Sequence, residues 1–203
     1  PGVRVHIDLL GPLRSSQSGN KYICVITDAF SKYTVAVAIP DKTAETVASA
    51  FFTHWLTKLS APEILVSDRG TEFCNEIFRS LANQWQFRQK LTAAYHPQSN
   101  SSAESWNRTF IKLMTAALAG HSTLDWELQL AAVCFSYNTT VHKSTLYSPF
   151  FLTYLHHPNM PHFDLDNPAP IYKDDWVTEA YVTLRSAYAS AKAHNEAAQI
   201  VDK

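Results

Sequence analysis

The sequence predicts an α/β fold built on a mixed, five-stranded sheet. Three strand-like runs come first and are joined by short links, which is typical of an antiparallel meander. A helical pattern then leads to a fourth strand, and this order indicates a crossover onto a parallel strand. A second helical pattern leads to a short fifth strand, and mainly helical patterns follow it.

The first predicted strand, Val3 to Leu10, alternates apolar and polar side chains, so one of its faces should be buried. The polar face carries Arg4, His6 and Asp8, and Gly11-Pro12 ends the run. Aspartate is unfavourable in a strand. Such an exception to local preference is where a functional site can lie.

The next three elements are two more strands and a helix. Lys21 to Thr27 is a continuous apolar run, which suits a strand buried on both faces, and Tyr33 to Ile39 forms the third strand before Pro40. A helix then begins at the N-cap residue Thr43 and continues to about Leu59, because apolar residues recur at helical spacing.

The fourth strand, Glu63 to Ser67, stops at Asp68. This position is prominent because open α/β sheets bind ligands at the carboxyl ends of their strands. A helix from Thr71 to about Trp85, with a break, leads to a short polar strand at Phe87 to Thr92, which we expect at the edge of the sheet.

A polar turn beginning at Tyr95 leads into a helix that has Glu104 in its first turn. Ser101 and Glu104 fit a capping box, so local evidence alone favours a well-capped helix over a functional carboxylate. Thr123 is predicted to cap a further helix, and Ser148-Pro149-Phe150 begins a short apolar segment of one or two helical turns.

Composition sets broad limits. The 203 residues are 46% hydrophobic and 17% charged, as in ordinary globular proteins. The net charge of −1 does not indicate a nucleic-acid binder, so DNA contacts would have to be local or supplied by other domains. No apolar run approaches the roughly 20 residues of a membrane span. Three widely spaced cysteines indicate packed thiols in a reducing compartment, not a disulfide framework.

Three carboxylates stand at prominent points of this fold: Asp8 on the first strand, Asp68 after its parallel neighbour, and Glu104 at a helix start. If they converge they repel one another, and divalent cations would relieve that repulsion. Hard oxygen ligands favour Mg²⁺ or Mn²⁺. Two such ions can flank an in-line phosphoryl transfer.

The spacing of two of these residues is specific, since 104 − 68 − 1 = 35 residues separate Asp68 from Glu104. It resembles the D,D-35-E signature of the retroviral integrase catalytic core, within the ribonuclease-H-like superfamily. Further stretches resemble integrases of Gypsy-type LTR retrotransposons: HIDLLGPL at 6–13, DAFSKY at 28–33, VSDRGTEF at 66–73, AYHPQSN at 94–100, ESWNRT at 104–109 and YNTTVHKSTLYSPF at 137–150. The match runs in order across roughly residues 3–155.

The resemblance implies a ribonuclease-H-like fold in which Asp8, Asp68 and Glu104 are catalytic and bind two Mg²⁺ or Mn²⁺ ions. The complete protein would trim the 3′ ends of element DNA and join them to target DNA. The loop before Glu104 would contact the DNA ends, and two basic residues beyond it would face the same DNA. The implied DNA-contacting residues are Tyr95, His96, Gln98, Ser99, Asn100, Ser101, Arg108 and Lys112.

Two positions depart from the family pattern. Ser101 stands where many relatives have glycine, and the loop should be stiffer as a result. Tyr154-Leu155 stands where relatives often have a Tyr-Gly pair. Neither change removes one of the three carboxylates.

The resemblance also implies a domain plan: a catalytic core at 1–155, a Pro-rich linker at 156–173, and a helical extension at 174–203 toward a further domain. The family's amino-terminal zinc-binding domain and carboxyl-terminal β-barrel domain are missing, and the chain begins at Pro1, so we expect an excised core. Expected partners are DNA, these flanking domains, and further copies of the chain in a dimer or larger oligomer. We expect the nucleus as the location, after a cytoplasmic particle stage, and no membrane partner.

Two other functions fit the same residues. A domesticated integrase-like module would bind partners or dimerise without catalysis, and loss of one carboxylate would have favoured it. A ribonuclease-H-like nuclease would hydrolyse nucleic acid, but the stretches after Glu104 favour an integrase.

Overall fold

The computed structural model describes residues 1–92, 111 and 126–158. The chain divides into two compact units, Pro1–Tyr137 and Asn138–Lys203.

The first unit contains the predicted five-stranded sheet. Its strands are β1 (Arg4–Leu10), β2 (Tyr22–Asp28), β3 (Thr34–Ile39), β4 (Ile64–Ser67) and β5 (Arg88–Leu91). Their order across the sheet is β3-β2-β1-β4-β5. β1 pairs antiparallel to β2 and β2 antiparallel to β3, whereas β1–β4 and β4–β5 are parallel. The predicted meander, crossover and polar edge strand are all confirmed.

Both faces of β2 are buried, as its continuous apolar run predicted. Cys24 and Ile26 belong to a core cluster on one face, whereas Ile23 and Val25 belong to a second cluster on the other face. The predicted alternation in β1 is also confirmed, because Val5 and Ile7 are buried on the first face and the residues between them are not.

Helix α1 (Ala44–Phe51) covers the first face. Its N-cap prediction is confirmed, because the Thr43 side chain accepts a hydrogen bond from the backbone N–H of Thr46. The helix continues as a π-helical segment (Phe52–Leu56) and then as the short α2 (Thr57–Leu59). The π-helical segment was not predicted.

Helix α3 (Glu76–Trp85) also packs on the first face, but it begins later than predicted. The predicted start at Thr71 is wrong, because the Asn75 side chain accepts from the backbone N–H of Phe78 and caps the helix there. Side-chain oxygens of asparagine satisfy the unpaired amides of a first helical turn. Residues 71–75 therefore form a turn that follows Asp68.

Helix α4 (Trp126–Thr139) covers the second face of the sheet, on which Asp8 lies. Its residues Trp126, Leu130, Val133 and Tyr137 are buried at helical spacing, as predicted. Its first residues thus lie on the face that carries the polar residues of β1.

The second unit contains the short helix α5 (Pro149–Tyr154), capped by the Ser148 hydroxyl, which accepts from the backbone N–H of Phe151. The helix ends at Leu155, whose φ of 66° lies in the left-handed region. Glycine adopts that conformation without a Cβ penalty. Leucine therefore carries a Cβ penalty at this position that glycine would not.

The three cysteines are free thiols, but they differ in burial. Cys24 is buried and Cys134 is partly buried, whereas Cys74 is exposed, so the prediction of a packed thiol is wrong for Cys74. That residue lies in the turn before α3, outside the apolar run that α3 buries. Within the residues that the structure describes, no helix is both long and apolar enough to cross a membrane.

Candidate active site

The β1–β4 register brings Asp8 and Asp68 to the same level of the sheet. The paired residues Arg4↔Ile64, Val5↔Leu65 and His6↔Val66 differ by a constant offset of 60. Continuing that offset by two residues sets Asp8 opposite Asp68, just after β4 ends. Neighbouring strands lie about 4.8 Å apart, so the two backbones approach closely at the carboxyl edge of parallel strands.

Both carboxylates accept backbone hydrogen bonds from residues close in sequence. Oδ1 of Asp68 accepts from the N–H of Gly70 at 2.8 Å, which shapes the turn after β4. Oδ1 of Asp8 accepts from the N–H of Leu9, also at 2.8 Å. Asp68 is exposed and Asp8 is partly buried. The edge of the sheet thus presents one accessible and one partly covered carboxylate.

The Asp8 carboxylate also affects the core beneath it. Burial raises the pKa of the Cys24 thiol to about 12, and the negative charge of Asp8 contributes to the rise. Cys24 therefore stays protonated at neutral pH and acts as a small apolar residue. It adds no negative charge near the two aspartates.

His6 lies two residues before Asp8 and on the same face of β1. The pKa of its imidazole is lowered from 6.5 to about 4, first by burial and then by the positive charges of Lys32 and Arg4, while Asp28 opposes them. The imidazole is therefore neutral at pH 7. The alternation of β1 predicted where His6 lies, but nothing in the sequence predicted this charge state.

A further carboxylate, which the sequence analysis did not single out, lies in the turn after Asp68. A Cβ atom added at Gly70 would lie 2.6 Å from Cδ of Glu72, so the Glu72 carboxyl group folds back over Gly70. A larger residue at position 70 would displace this flexible side chain. Glu72 is thus a further carboxylate in the turn that follows Asp68.

The remaining predicted site residues lie outside the described residues. They are Glu104, the loop residues Tyr95, His96, Gln98, Ser99, Asn100 and Ser101, and the basic pair Arg108 and Lys112. The extension at 174–203 and nearly all of the linker also lie outside them. Within the described part of the chain, no group of three or more His, Cys, Asp or Glu residues could hold a metal ion.

The two described aspartates nonetheless fit a divalent metal in their chemistry. Carboxylate oxygens are the ligands that Mg²⁺ and Mn²⁺ prefer. Two carboxylates at this level of the sheet would supply part of a coordination shell, and a third carboxylate would extend it. Glu104 remains the predicted third ligand.

Comparison with known proteins identifies the domain that contains these aspartates. Residues 1–97 match the family described as integrase core domain. Those residues belong to the integrase core domain family. The chain is also 32% identical to the retrovirus-related Pol polyprotein from transposon 412 of Drosophila melanogaster, over 200 residues that make up 95% of this chain and 16% of the relative. It is 30% identical to the Pro-Pol polyprotein of feline foamy virus, over 91% of this chain and 15% of that protein.

Solved structures confirm the predicted fold of the integrase core. A chain of the simian T-cell lymphotropic virus intasome in complex with PP2A regulatory subunit B56 gamma matches with a TM-score of 0.68 and 18% identity, over 85% of this chain and 61% of that chain. The HTLV-2 integrase catalytic core domain, in complex with magnesium and in a trimeric form, matches with a TM-score of 0.62 and 15% identity, over 76% of this chain and 97% of that chain. The fold is therefore ribonuclease-H-like, as expected. The chain spans about a sixth of the length of the two polyproteins named above.

Proposed function

We propose that this chain is the catalytic core of a Gypsy-type LTR retrotransposon integrase, a metal-dependent polynucleotidyl transferase that processes the 3′ ends of element DNA and joins them to host DNA. One observation carries the proposal. Extending the β1–β4 register by two residues sets Asp8 level with Asp68, and both lie within residues 1–97, which match the integrase core domain family. Similarity to the transposon 412 polyprotein supports the Gypsy-type assignment.

In this proposal Asp8, Asp68 and Glu104 hold two Mg²⁺ or Mn²⁺ ions. Ions held there would activate the attacking hydroxyl group and stabilise the leaving oxygen of an in-line displacement. The magnesium bound to the HTLV-2 catalytic core domain supports this choice of metal. The neutral imidazole of His6 fits the same role, because a positive charge beside Asp8 would compete with a cation for its carboxylate.

DNA binding would be local, because the net charge of the chain is −1. We assign it to the loop residues before Glu104 and to Arg108 and Lys112 beyond it, on the basis of the sequence resemblance. Phosphate contacts of this kind position DNA and make its affinity depend on salt.

The assignment extends to assembly and location. We propose that the complete protein joins the core (1–155) through a linker (156–173) and a helical extension (174–203) to further domains, acts as a dimer or larger oligomer, and works in the nucleus. The intasome and the trimeric catalytic core among the similar structures support oligomerisation. DNA ends and target DNA would be its partners.

A strand-transfer assay on branched DNA with Mn²⁺ tests the proposal. We expect activity in the wild-type chain, and its loss in Asp68→Asn and in Glu104→Gln. Matched controls are Asp41→Asn, an exposed aspartate before α1, and Glu45→Gln, a glutamate in the first turn of α1. These two should keep full activity, because they change the same charges away from the site.

Three results would contradict parts of the proposal. Activity that survives Glu104→Gln would remove Glu104 from the site. Calorimetry showing equal Mn²⁺ binding by wild type and an Asp8→Asn/Asp68→Asn double variant would remove the metal role of these aspartates. A wild-type chain that binds DNA but never transfers a strand would favour a catalytically silent module.

A further inference from the structure

The connection between β1 and β2, residues 11–21, is an ordered hairpin at the carboxyl edge of β1. Its backbone closes through hydrogen bonds from the N–H of Leu13 to the carbonyl of Lys21 at 2.7 Å and from the N–H of Ser16 to the carbonyl of Asn20 at 2.9 Å. The hairpin begins three residues after Asp8, a distance of about 10 Å along an extended strand. It therefore lies at the same edge of the sheet as the two aspartates.

The first turn of α4 holds this hairpin with three side-chain hydrogen bonds. Nε1 of Trp126 donates to the carbonyl of Arg14 at 2.8 Å. The two carboxylate oxygens of Glu127 accept from the Ser16 hydroxyl at 2.6 Å and from the Asn20 amide at 3.0 Å. Ser16 and Trp126 are each only 8% exposed. Bonds shielded from water in this way fix the hairpin relative to the sheet.

The hairpin has a positive net charge, although the chain as a whole does not. Residues 11–21 contain Arg14 and Lys21 and no acidic residue, whereas the whole chain has a net charge of −1. Both cationic residues are exposed, and within the described residues neither forms an ion pair. Four of the residues Ser15–Gly19 are exposed, all of them small or polar, so no large apolar side chain covers the backbone there.

We propose that the 11–21 hairpin binds the phosphate backbone of duplex DNA beside the Asp8–Asp68 site, and that Glu127 is a positioning residue that holds it there. The inference rests on the proposed function. One DNA strand advances about 3.4 Å per nucleotide, so the distance of about 10 Å from Asp8 corresponds to roughly three nucleotides. Arg14 and Lys21 are the phosphate contacts.

A binding titration by fluorescence anisotropy in EDTA tests the inference without catalysis. The test variant is Arg14→Gln/Lys21→Gln. The control is Lys58→Gln/Arg88→Gln, which removes two exposed cationic residues near the opposite edge, where β4 and β5 begin. Removing two phosphate contacts should flatten the slope of log affinity against log salt by about 1.8, so the wild type loses about tenfold more affinity than the variant between 50 and 200 mM salt.

Each outcome decides something. The inference is supported if the hairpin variant, but not the control variant, shows a lower DNA affinity and a flatter slope of log affinity against log salt. Equal affinity and slope in wild type and hairpin variant overturn it and leave the proposed function intact. A wild-type chain that fails to bind DNA at low salt overturns both. Open duplexes and dumbbell DNA with closed ends distinguish binding near DNA ends from binding along the duplex.

Testing Glu127 requires a quantity that would stay unchanged if this residue only stabilised the fold. Glu127→Gln replaces one accepting oxygen with an amide donor that faces the Ser16 hydroxyl or the Asn20 amide. We expect the salt slope to fall toward that of the hairpin variant while the thermal unfolding transition stays cooperative. A Glu127→Gln variant that unfolds at a lower temperature but keeps the wild-type salt slope would overturn the positioning role.

Discussion

Acid should destabilise this domain through His6. The pKa of its imidazole is about 4 in the folded chain against 6.5 for an ordinary histidine, because of burial and the nearby positive charges of Lys32 and Arg4. The unfolded chain thus binds a proton that the folded chain excludes, and stability falls as the pH drops from about 6.5 toward 4. From these two pKa values, proton linkage predicts that the free energy of unfolding is about 2 kcal/mol lower at pH 5 than at pH 7.5.

Urea unfolding at pH 7.5 and pH 5 measures this loss. His6→Gln keeps a polar side chain of similar size but cannot titrate. Between the two pH values, the free energy of unfolding of this variant should fall by about 2 kcal/mol less than that of the wild type. His54→Gln is the matched control, because His54 lies in the π-helical segment and its removal leaves His6 in place. If His6→Gln loses as much stability at pH 5 as the wild type, the reasoning is refuted.

Two substitutions outside the site test local features of the fold. Asp28→Ala should lower the free energy of unfolding by about 3 kcal/mol or more, since it leaves the N–H of Gly2 and the N–H and hydroxyl of Ser31 without their acceptor; an equal loss in Asp41→Ala, at an exposed aspartate, would contradict this. Leu155→Gly should raise the thermal midpoint by relieving the left-handed backbone, a gain of about 0.5 kcal/mol after the entropy cost of glycine; a lower midpoint would show that the leucine side chain contributes more.

The strands could be predicted because their signals are local. Alternation in β1 and the apolar run in β2 each report which faces are buried, and Thr43 identified the start of α1 by its capping chemistry. The same chemistry was available for α3, where Asn75 directly precedes Glu76, but the predicted helix began four residues earlier, at Thr71. A capping residue marks a helix start more reliably than apolar spacing does.

The site was predictable only in its residue types. Asp8 was singled out as an aspartate within a strand and Asp68 by its position at the end of the fourth strand. Extending the β1–β4 register then sets them at one level. The charge state of His6 and the folded-back Glu72 could not be predicted, because both depend on residues distant in sequence or on a turn geometry. Likewise, no local pattern connects Glu127 with Ser16, which lies 111 residues earlier.

The π-helical segment has a consequence for how this domain can change in length. Ala50 and Phe51 are buried, and so are Trp55 and Leu56, five residues later. A shift of five residues in an α-helix turns a side chain by about 140° from its starting face, whereas the wider π turn returns it to that face. Deleting one residue among Phe52–His54 would shorten the shift to four residues, which an ordinary α-helix also keeps on one face. This helix therefore contains a removable residue, and we expect a one-residue deletion to be tolerated there while the rest of the buried helix stays fixed in length.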